Sequence, residues 1–400
     1  PTISLSTNIH HSRPVSGYGK AYCQNLHLSV TPSASVRAIF PRSICVQANW
    51  IHYCCLIAIL QAICDMLNSH PYVHLFALDF SKAFDTVRHS TLLEKLAKLD
   101  LPDEAYNWMK DFFDGHSHCT RFAGAISPLI EISTSVIQGS AIGPASYIVN
   151  ASDLCSIGAE NKLFKFADDT YLLIPGGNSH TCVTELKHVS DWAAVNNLEL
   201  NQTKSLEMIL TAPGVRGADA RACPPPVVNG IERVNKITIL GVVVNDRLSA
   251  DEHVTATISA CSKSLYALRV LRSHGMPTDA LHSVYRATVL TKLLYCSPAW
   301  SGFCSAADRV RMDSFIKRSK RTGFCSDEVQ SVAELFADSD ANILQRILNN
   351  PNHTLHHLLP PPINHEHYLR KRAHNHQLPP KSTALQQSNF IVRSLFKNAY

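Results

Sequence analysis

The sequence predicts an α+β fold in which strands and helices mix up to about residue 250 and helices alone follow. Two nearly continuous apolar runs, YVHLFALDF at residues 72–80 and LFKFADDTYLLI at residues 163–174, are typical of buried strands. Apolar residues recur at helical spacing over residues 183–192 and again from His253 to about Arg321. Because 45% of the 400 residues are hydrophobic, the chain can bury the core of two or three domains.

The N-terminal part predicts little regular structure before one apolar helix. Residues 1–48 are polar and show no sustained period of 2 or 3.6 residues. The run from Trp50 to Leu67 is the most apolar stretch, but it contains His52, Gln61 and Asp65. It falls short of the roughly 20 apolar residues that span a bilayer. We therefore expect a buried helix and no membrane association.

Helices are predicted after the first strand. Thr91 and Glu94 have the T-x-x-E spacing of a capping box, which predicts a helix that starts there. A second helix is predicted from Asp103 to Asp114, closed by Gly115. Gly143-Pro144 opens another, since proline is favoured in the first turn of a helix.

Extended structure is predicted in the remaining segments of this half. Residues 119–137 read as extended, and residues 206–210 and 237–244 as further strands.

Charge and cysteine content constrain the C-terminal half and the cellular compartment. The net charge of +5 does not by itself imply nucleic acid, but residues 261–321 carry eleven Lys and Arg against three acids. Such a cluster binds phosphate or is simply a solvated helical face. The 13 cysteines lack a repeated C-x-x-C spacing, which indicates reduced thiols of an intracellular protein, nuclear or cytoplasmic. Seven histidines between residues 353 and 376 match no metal-ligand spacing, so we expect a solvated or partly disordered tail from residue 326.

Three aspartates carry the strongest chemical signal. Asp168 and Asp169 are adjacent in an apolar strand-turn-strand context, where two carboxylates repel each other unless a cation compensates them. The alternative is a polar hairpin tip, since Asp is common in turns. Asp79 lies near the end of a buried strand, where an acid is costly unless paired or coordinated. If the two strands are neighbours, the three carboxylates converge on a site suited to Mg²⁺ or Mn²⁺, and two such ions can promote phosphoryl transfer.

Five segments resemble, in order, the polymerase motifs of reverse transcriptases from non-LTR (LINE-type, jockey-like) retrotransposons. The segments are ALDFSKAFDTVRHSTLLEKL (77–96, motif A), VIQGSAIGP (136–144, motif B, with a further match at Asn150–Leu154), FADDTYLL (166–173, motif C), LELNQTKSLEM (198–208, motif D) and ILGVVVNDRLSADEHV (239–254, primer grip and entry to the thumb). The resemblance covers roughly residues 70–320 and implies an RNA-directed DNA polymerase that uses an RNA template, a DNA primer and deoxynucleoside triphosphates. It implies a palm with an antiparallel sheet and backing helices, followed by a helical thumb.

The resemblance also implies roles for individual residues in the palm. Asp79, Asp168 and Asp169 would bind two Mg²⁺ (or Mn²⁺) ions, joined by the carbonyl of Phe80. Phe84 stands where the family has a steric gate against ribonucleotides; the alternative is simple core packing, and the ring could do both. The other implied contacts are Gln138 and Gly139 to the nucleotide and templating base, and Lys204 as a general acid or a plain surface lysine.

In the second half, the resemblance implies two nucleic-acid contacts. Leu240 and Gly241 would lie at the primer grip. A basic set on the thumb would lie near the exit of the duplex: Arg309, Arg311, Lys317, Arg318, Lys320 and Arg321.

One region departs from the family. Residues 1–70 contain no recognisable fingers motif with the basic residues that hold a triphosphate, which predicts weak nucleotide binding. We therefore expect partial or degraded fingers at 1–70, a palm at 71–250, a thumb-like region at 251–325 and the tail at 326–400. Two alternatives stay open: a catalytically impaired retroelement relic that at most binds nucleic acid, and a metal-dependent nuclease that uses the same acids.

Overall fold

The computed structural model describes residues 43–44, 51–136, 140, 142–211, 225–228, 230–363, 374–380 and 383–397. Within them the chain forms two compact units. The first comprises Leu78–Tyr171 and Thr181–Ser205 together with Ser43–Ile44. The second comprises the described residues of Asn49–Ala77, Leu172–His180 and Leu206–Tyr400.

Helices and strands alternate up to Asn245, and helices follow. The strands are β1 (Ser43–Ile44), β2 (Tyr72–Leu78), β3 (Phe80–Ser81), β4 (Ser117–His118), β5 (Arg121–Phe122), β6 (Ala125–Ile126), β7 (Ile130–Glu131), β8 (Lys162–Phe166), β9 (Asp169–Pro175), β10 (Glu199–Leu200), β11 (Leu206–Thr211), β12 (Glu232–Arg233), β13 (Lys236–Ile239) and β14 (Val242–Asn245). The helices are α1 (Ile51–Ser69), α2 (Ala83–Thr86), α3 (His89–Leu96), α4 (Asp103–Phe113), α5 (Gly143–Asn150), α6 (Cys182–Val195), α7 (Asp251–Ser273), α8 (Thr278–Tyr285), α9 (Thr291–Leu293), α10 (Ser297–Trp300), α11 (Ala306–Arg321), α12 (Val332–Asn349), α13 (Ala384–Ser388) and α14 (Phe390–Lys397). This order confirms the predicted α+β class.

The first unit holds the acidic hairpin and the helices that support it. In it, β8 neighbours both β1, in parallel, and the start of β9, while β3 pairs antiparallel with β10. Lys95 on α3 ties the helices together, because its ammonium group donates to Asp153 (2.8 Å) and lies over the ring of Trp192 on α6. Burial lowers the pKa of Lys95, and the hydrogen bond to Asp153 partly opposes that shift.

In the second unit, the strand order is β9, β2, β11, β12. Strand β2 pairs antiparallel with β11, from Tyr72 opposite Thr211 to Ala77 opposite Leu206, and β11 pairs in parallel with β12. The predicted antiparallel sheet is therefore mixed, with parallel pairs at its outer strands.

Helix α1 confirms the buried helix predicted from the most apolar run. Its residues from Cys54 to Leu60 are each at most 4% exposed. No helix in the described part of the chain combines the length and apolar character needed to cross a membrane.

The predicted capping box at Thr91 is wrong. Helix α3 already begins at His89, so Thr91 lies inside its first turn, and no side chain caps the helix. The preceding backbone decides the start: Arg88 forms a β-bridge with Thr134, and the N–H of His89 donates to the carbonyl of Ser133 (3.0 Å). Tertiary hydrogen bonds thus replace the local cap that the sequence pattern suggested.

Residues 237–244 form a hairpin where one strand was predicted. The chain reverses at Leu240 and Gly241, whose φ angles are +47° and +82°. Two central residues with positive φ are the mark of a type I′ turn, which matches the twist of a two-residue hairpin. Only one of these two positions is a glycine, and the other is an apolar leucine. The sequence pattern therefore did not indicate a turn within the apolar run.

The solvated tail predicted from residue 326 is also wrong for most of that segment. Helix α12 carries a capping box between Ser331 and Glu334. Arg393 on α14 pairs with Asp340 on α12 at 2.8 Å, with both side chains largely buried. Residues 364–373, which include two of the clustered histidines, lie outside the described residues.

Candidate active site

The acidic hairpin is held firmly in the first unit. Ala167 and Asp168 form the loop between β8 and β9, and Asp169 is the first residue of β9. Ala167 has φ +51°, which is uncommon for a residue with a side chain and is often found at functional sites. On β8, the buried ammonium group of Lys165 donates to the carbonyls of Ala151 and Leu154 (2.7 Å to the latter). These bonds fix the strand that leads into the loop.

Asp79 lies between β2 and β3, and a separate loop holds its backbone. Its N–H donates to the hydroxyl of Ser205 at 3.2 Å. Its carbonyl accepts from the N–H of Asn201 at 2.8 Å. Both backbone polar groups of this predicted metal ligand are therefore occupied by the loop that motif D was expected to form.

The charges of Asp168 and Asp79 act on the Asp169 carboxyl. Partial desolvation, followed by repulsion from Asp168 and then Asp79, raises the pKa of the Asp169 carboxyl to about 6. Within the described part of the chain, no Lys, Arg or His forms an ion pair with any of the three. Among the residues that the structure describes, no ion pair therefore offsets the repulsion on Asp169, and a cation would be favoured there.

The donor chemistry suits a hard cation, although the carboxylates do not form a finished cage. Aspartate oxygens are the ligands that Mg²⁺ and Mn²⁺ prefer. Among the described residues, no group of three His, Cys, Asp or Glu side chains is arranged to hold a metal ion. The convergence of Asp79, Asp168 and Asp169 on two ions therefore stays a prediction.

An aromatic pair lies beside Asp168. The ring of Phe84 stacks on that of Tyr147, with centroids 4.6 Å apart and planes at 29°. Tyr147, on α5, is only 2% exposed, while Phe84 is half-buried. Burial, and then the charge of Asp168, raises the pKa of the Tyr147 phenol. The predicted steric gate thus has a rigid support close to the acidic loop.

The other predicted palm residues differ in their surroundings. Phe80 is buried and meets Trp192 edge-on, with centroids 6.1 Å apart, so its ring serves packing. Lys204 is exposed, and its backbone N–H donates to the side chain of Asn201 at 3.2 Å. Gln138 and Gly139 lie outside the described residues. The roles predicted for the Phe80 carbonyl, Lys204, Gln138 and Gly139 stay predictions.

In the second unit, the predicted primer-grip pair forms a supported turn. The hydroxyl of Tyr295 donates to the carbonyl of Leu240 at 3.0 Å. A side chain at Gly241 would meet the Tyr295 ring at 3.3 Å and would also have to adopt a positive φ. Glycine at this position is explained by the turn itself, and contact with a primer stays a prediction.

The six basic residues predicted on the thumb separate into two groups. Three of them have partners within the unit. Arg309 donates to the carbonyl of Ser301 at 3.3 Å, and Arg311 pairs with Asp308 at 3.2 Å. Lys320 donates to the carbonyls of Asp327 and Val329. Lys317, Arg318 and Arg321 are exposed and form no ion pair with another described residue. Among the six, Arg311 alone is paired with a described acid, whereas Arg309 and Lys320 are engaged through neutral carbonyls.

Two residues near the aspartates were missed by sequence reasoning. Tyr147 is a buried helical residue with no charged pattern around it, so nothing marked it as a neighbour of Asp168. Ser205 follows Lys204 directly, and a hydroxyl at the start of a predicted strand reads as ordinary polar sequence. Only the pairing of β3 with β10 brings that loop to Asp79.

Comparison with known proteins gives relatives of one kind. The chain is 28% identical over 276 residues to a probable RNA-directed DNA polymerase from transposon X-element of Drosophila melanogaster, a match covering 65% of this chain and 28% of the relative. It is 27% identical over 250 residues to the RNA-directed DNA polymerase from mobile element jockey of Drosophila funebris, covering 58% and 26%. The chain thus spans about a quarter of the length of these curated relatives.

A solved structure and a family match complete the comparison. The structure of telomerase from Candida tropicalis with a fragment of telomeric RNA aligns at a TM-score of 0.42 and 14% identity, over 82% of this chain and 54% of that one. Residues 31–244, more than half of the 400, match the family described as reverse transcriptase (RNA-dependent DNA polymerase). The match begins within the segment where no fingers motif is recognisable. The chain belongs to the reverse transcriptase (RNA-dependent DNA polymerase) family.

Proposed function

We propose that this chain is the polymerase core of an RNA-directed DNA polymerase, which adds deoxynucleotides to the 3′-hydroxyl of a DNA primer on an RNA template. One observation carries the proposal: in a chain of this family, the charges of Asp168 and Asp79 act on Asp169, and no described Lys, Arg or His forms an ion pair with any of the three. Degraded or incomplete fingers, palm, thumb-like region and a His/Pro-containing C-terminal segment are proposed at residues 1–70, 71–250, 251–325 and 326–400.

Each aspartate has a proposed role as a metal ligand. Two Mg²⁺ ions, when bound, would lower the pKa of the primer hydroxyl and stabilise the charge that develops on the pyrophosphate. Asp79 would hold its carboxylate in place through the backbone bonds to Ser205 and Asn201. Asp168 in the hairpin loop and Asp169 at the start of β9, both exposed, would complete the ligand set.

The chemical step is an in-line displacement. The primer 3′-hydroxyl loses its proton to water, its oxygen forms a bond to the α-phosphorus of the nucleotide, and the bond from that phosphorus to pyrophosphate breaks. We propose that Lys204 donates a proton to the leaving pyrophosphate, because its side chain is exposed on the loop bound to Asp79.

Sugar selection is assigned to Phe84. Its ring is half-buried and braced against Tyr147, so it cannot swing away from a ribose 2′-hydroxyl without disturbing the stack. Phe84→Val should raise ribonucleotide incorporation roughly tenfold or more. Phe80→Val is the matched control, since the Phe80 ring packs against Trp192. Equal discrimination by wild type and Phe84→Val would reduce Phe84 to a packing residue.

Primer extension on poly(rA)/oligo(dT) with Mg²⁺ tests the main proposal. A polymerase lengthens the primer, a metal-dependent nuclease shortens it, and an impaired relic leaves it unchanged. Asp168→Asn should lower extension by about 10³-fold, because loss of a metal ligand removes several kcal/mol of stabilisation from the transition state. Extension that survives Asp168→Asn would contradict the assignment.

We expect extension by the chain as it stands to be weak. The triphosphate is repelled by the three carboxylates, and residues 1–70 supply no recognisable basic clamp. Replacing residues 1–70 with the fingers of an active relative should restore extension mainly through tighter nucleotide binding. Robust extension by the unmodified chain would contradict this expectation.

A further inference from the structure

We infer that Ser205 is a positioning residue for Asp79, and that it holds the metal ligand and the Lys204 loop together as one unit. The inference rests on the proposed function, because it deepens the role of the same aspartate. It is carried by the hydrogen bonds that surround one fully buried hydroxyl.

Ser205 uses its hydroxyl as both donor and acceptor. The hydroxyl donates to the carbonyl of Asn201 at 2.8 Å and accepts from the backbone N–H of Asp79 at 3.2 Å. Ser205 is 0% exposed, so water cannot replace either bond. A side chain of this size must both give and receive a hydrogen bond here, which a hydroxyl does and a methyl group does not.

The bonds close a ring around the backbone of Asp79. The N–H of Asn201 donates to the Asp79 carbonyl at 2.8 Å, and the N–H of Ser205 donates to the Asn201 carbonyl at 3.0 Å. On the neighbouring strands, Phe80 lies opposite Leu200 and Ser81 opposite Glu199. At Asp79 the pairing of β3 with β10 is therefore extended to the loop that follows β10. The extension consists of the bond to the Ser205 hydroxyl and the backbone bond from Asn201.

The same loop fixes the backbone of Lys204. Its N–H donates to the side-chain oxygen of Asn201 at 3.2 Å, and the hydroxyl of Thr203 donates to that oxygen at 2.8 Å. An asparagine side chain that accepts from the backbone of following residues is a common way to order a turn. The loop that bears the proposed proton donor therefore cannot shift without pulling on Asp79.

Asp79 needs this support because nothing else described holds its carboxylate. The side chain forms no ion pair or hydrogen bond with another described residue, so its direction depends on its own backbone. Groups that orient a metal ligand typically change metal affinity by 10- to 100-fold when they are removed. Ser205 is such a group, because it orients Asp79 through a hydrogen bond to its backbone N–H.

Mn²⁺ binding to the chain as it stands provides the test, measured by the electron paramagnetic resonance signal of free Mn²⁺. Ser205→Ala should weaken binding about tenfold while the protein stays folded. Ser319→Ala is the matched control, because Ser319 is also 0% exposed and its hydroxyl donates to the carbonyl of Phe315. Ser319→Ala also loses a buried hydroxyl, but at a position remote in sequence from the three aspartates. Its Mn²⁺ affinity should stay within about twofold of wild type.

The Asp79→Asn variant separates the two levels of the argument. If it binds Mn²⁺ as tightly as wild type, the proposed metal site itself is wrong. If Asp79→Asn weakens binding but Ser205→Ala does not, the metal site stands and the positioning role is overturned. Should Ser205→Ala fail to fold, Ser205→Cys decides, since it keeps the side-chain shape but accepts a hydrogen bond poorly; unchanged Mn²⁺ affinity in it overturns the inference.

Discussion

The aspartates of the first unit and Glu207 of the second unit are surrounded in opposite ways. Glu207 is fully buried, and its oxygens accept hydrogen bonds from Arg233 at 2.8 and 3.0 Å and contact the His74 ring at 2.8 Å. Asp168 and Asp169 are exposed and pair with no described cation. One carboxylate is satisfied by the protein itself, whereas the others keep their charge for something that binds.

The two environments shift the pKa of their carboxyl groups in opposite directions. Burial pushes the pKa of Glu207 upward, but hydrogen bonds from His74 and Arg233 outweigh it and hold the pKa below its usual 4.5. Partial desolvation and the charges of Asp168 and Asp79 raise the pKa of Asp169 to about 6. A lowered pKa marks a carboxylate that stabilises the fold, and a raised one marks a carboxylate that the fold disfavours.

The largest expected effect is on stability in the second unit. Glu207→Gln leaves the Arg233 guanidinium and the buried His74 ring without their anion, and should lower the free energy of unfolding by about 3 kcal/mol. Urea denaturation at pH 7 measures it, with the slope of the transition checked for constancy.

Asp169→Asn is the matched change in the first unit. It removes a charge that is repelled by its neighbours, so the free energy of unfolding should stay within about 0.5 kcal/mol of wild type or rise. A loss comparable to that of Glu207→Gln would show that Asp169 is as structural as Glu207 and would erase the contrast.

A smaller effect is expected from metal. Mg²⁺ at about ten times its dissociation constant should stabilise the wild-type chain by about 1.4 kcal/mol, and EDTA should reverse the gain. Asp169→Asn should lose this response, while Glu207→Gln should keep it on a lower baseline. Thermal melting with and without Mg²⁺ measures this response. If Asp169→Asn is still stabilised by Mg²⁺, the metal binds elsewhere.

The contrast between the two carboxylate sites was only half visible in the sequence. The adjacent Asp168 and Asp169 stood out because two acids side by side in apolar sequence need an explanation, and Asp79 stood out at the end of an apolar strand. Glu207 drew no attention, since it lies in a strand that pattern alone reads as half-exposed. Its partners come from β2 and β12, and strand pairing is a long-range property that local spacing does not encode.

The fold shows the same division between local and long-range causes. The strands at 72–80 and 163–174 and the helix opened by Gly143-Pro144 followed from composition and turn chemistry, which act locally. The start of α3 and the turn at Leu240 did not, because a β-bridge sets the first and the Tyr295 hydroxyl bonds the carbonyl of the second.

The basic residues of α11 differ in the same way: some have partners within the unit, and others are exposed and form no ion pair with a described residue. Replacing Lys317 and Arg321 with alanine should lower the salt slope of nucleic-acid binding by roughly 0.7 to 0.9 for each lost phosphate contact, alike for all sequences. Arg311→Ala is the control, because Arg311 is already bonded to Asp308 and Thr255. If the salt slope falls equally in Arg311→Ala, then pairing with Asp308 does not prevent Arg311 from contacting phosphate.

The smallest expected effect is a difference in pH dependence without metal. The folded-state pKa of Asp169, about 6, lies above its usual value of 3.8, so the folded protein holds this proton more tightly than the unfolded chain. Its contribution to stability is complete below pH 3.8 and is lost as the pH rises through about 6. Glu207 works in the opposite sense: its contribution is present above its usual pKa of 4.5 and is lost as the pH falls below that value.

Subtracting variants isolates each of these two contributions. All other titrating groups are shared by wild type and Asp169→Asn, so the difference between their urea midpoints reports Asp169 together with its coupling to Asp168 and Asp79. That difference, wild type minus variant, should decline from pH 4 to pH 6.5, whereas the corresponding difference for Glu207→Gln should grow as the pH rises from 3 to 5. The decline should vanish when Mg²⁺ is present, because a bound cation favours the charged carboxylate and so offsets both the desolvation and the repulsion that raise the pKa of Asp169. Parallel profiles for wild type and Asp169→Asn without metal would mean that Asp169 does not sense Asp168 and Asp79 in solution, and would contradict a site shared by the three.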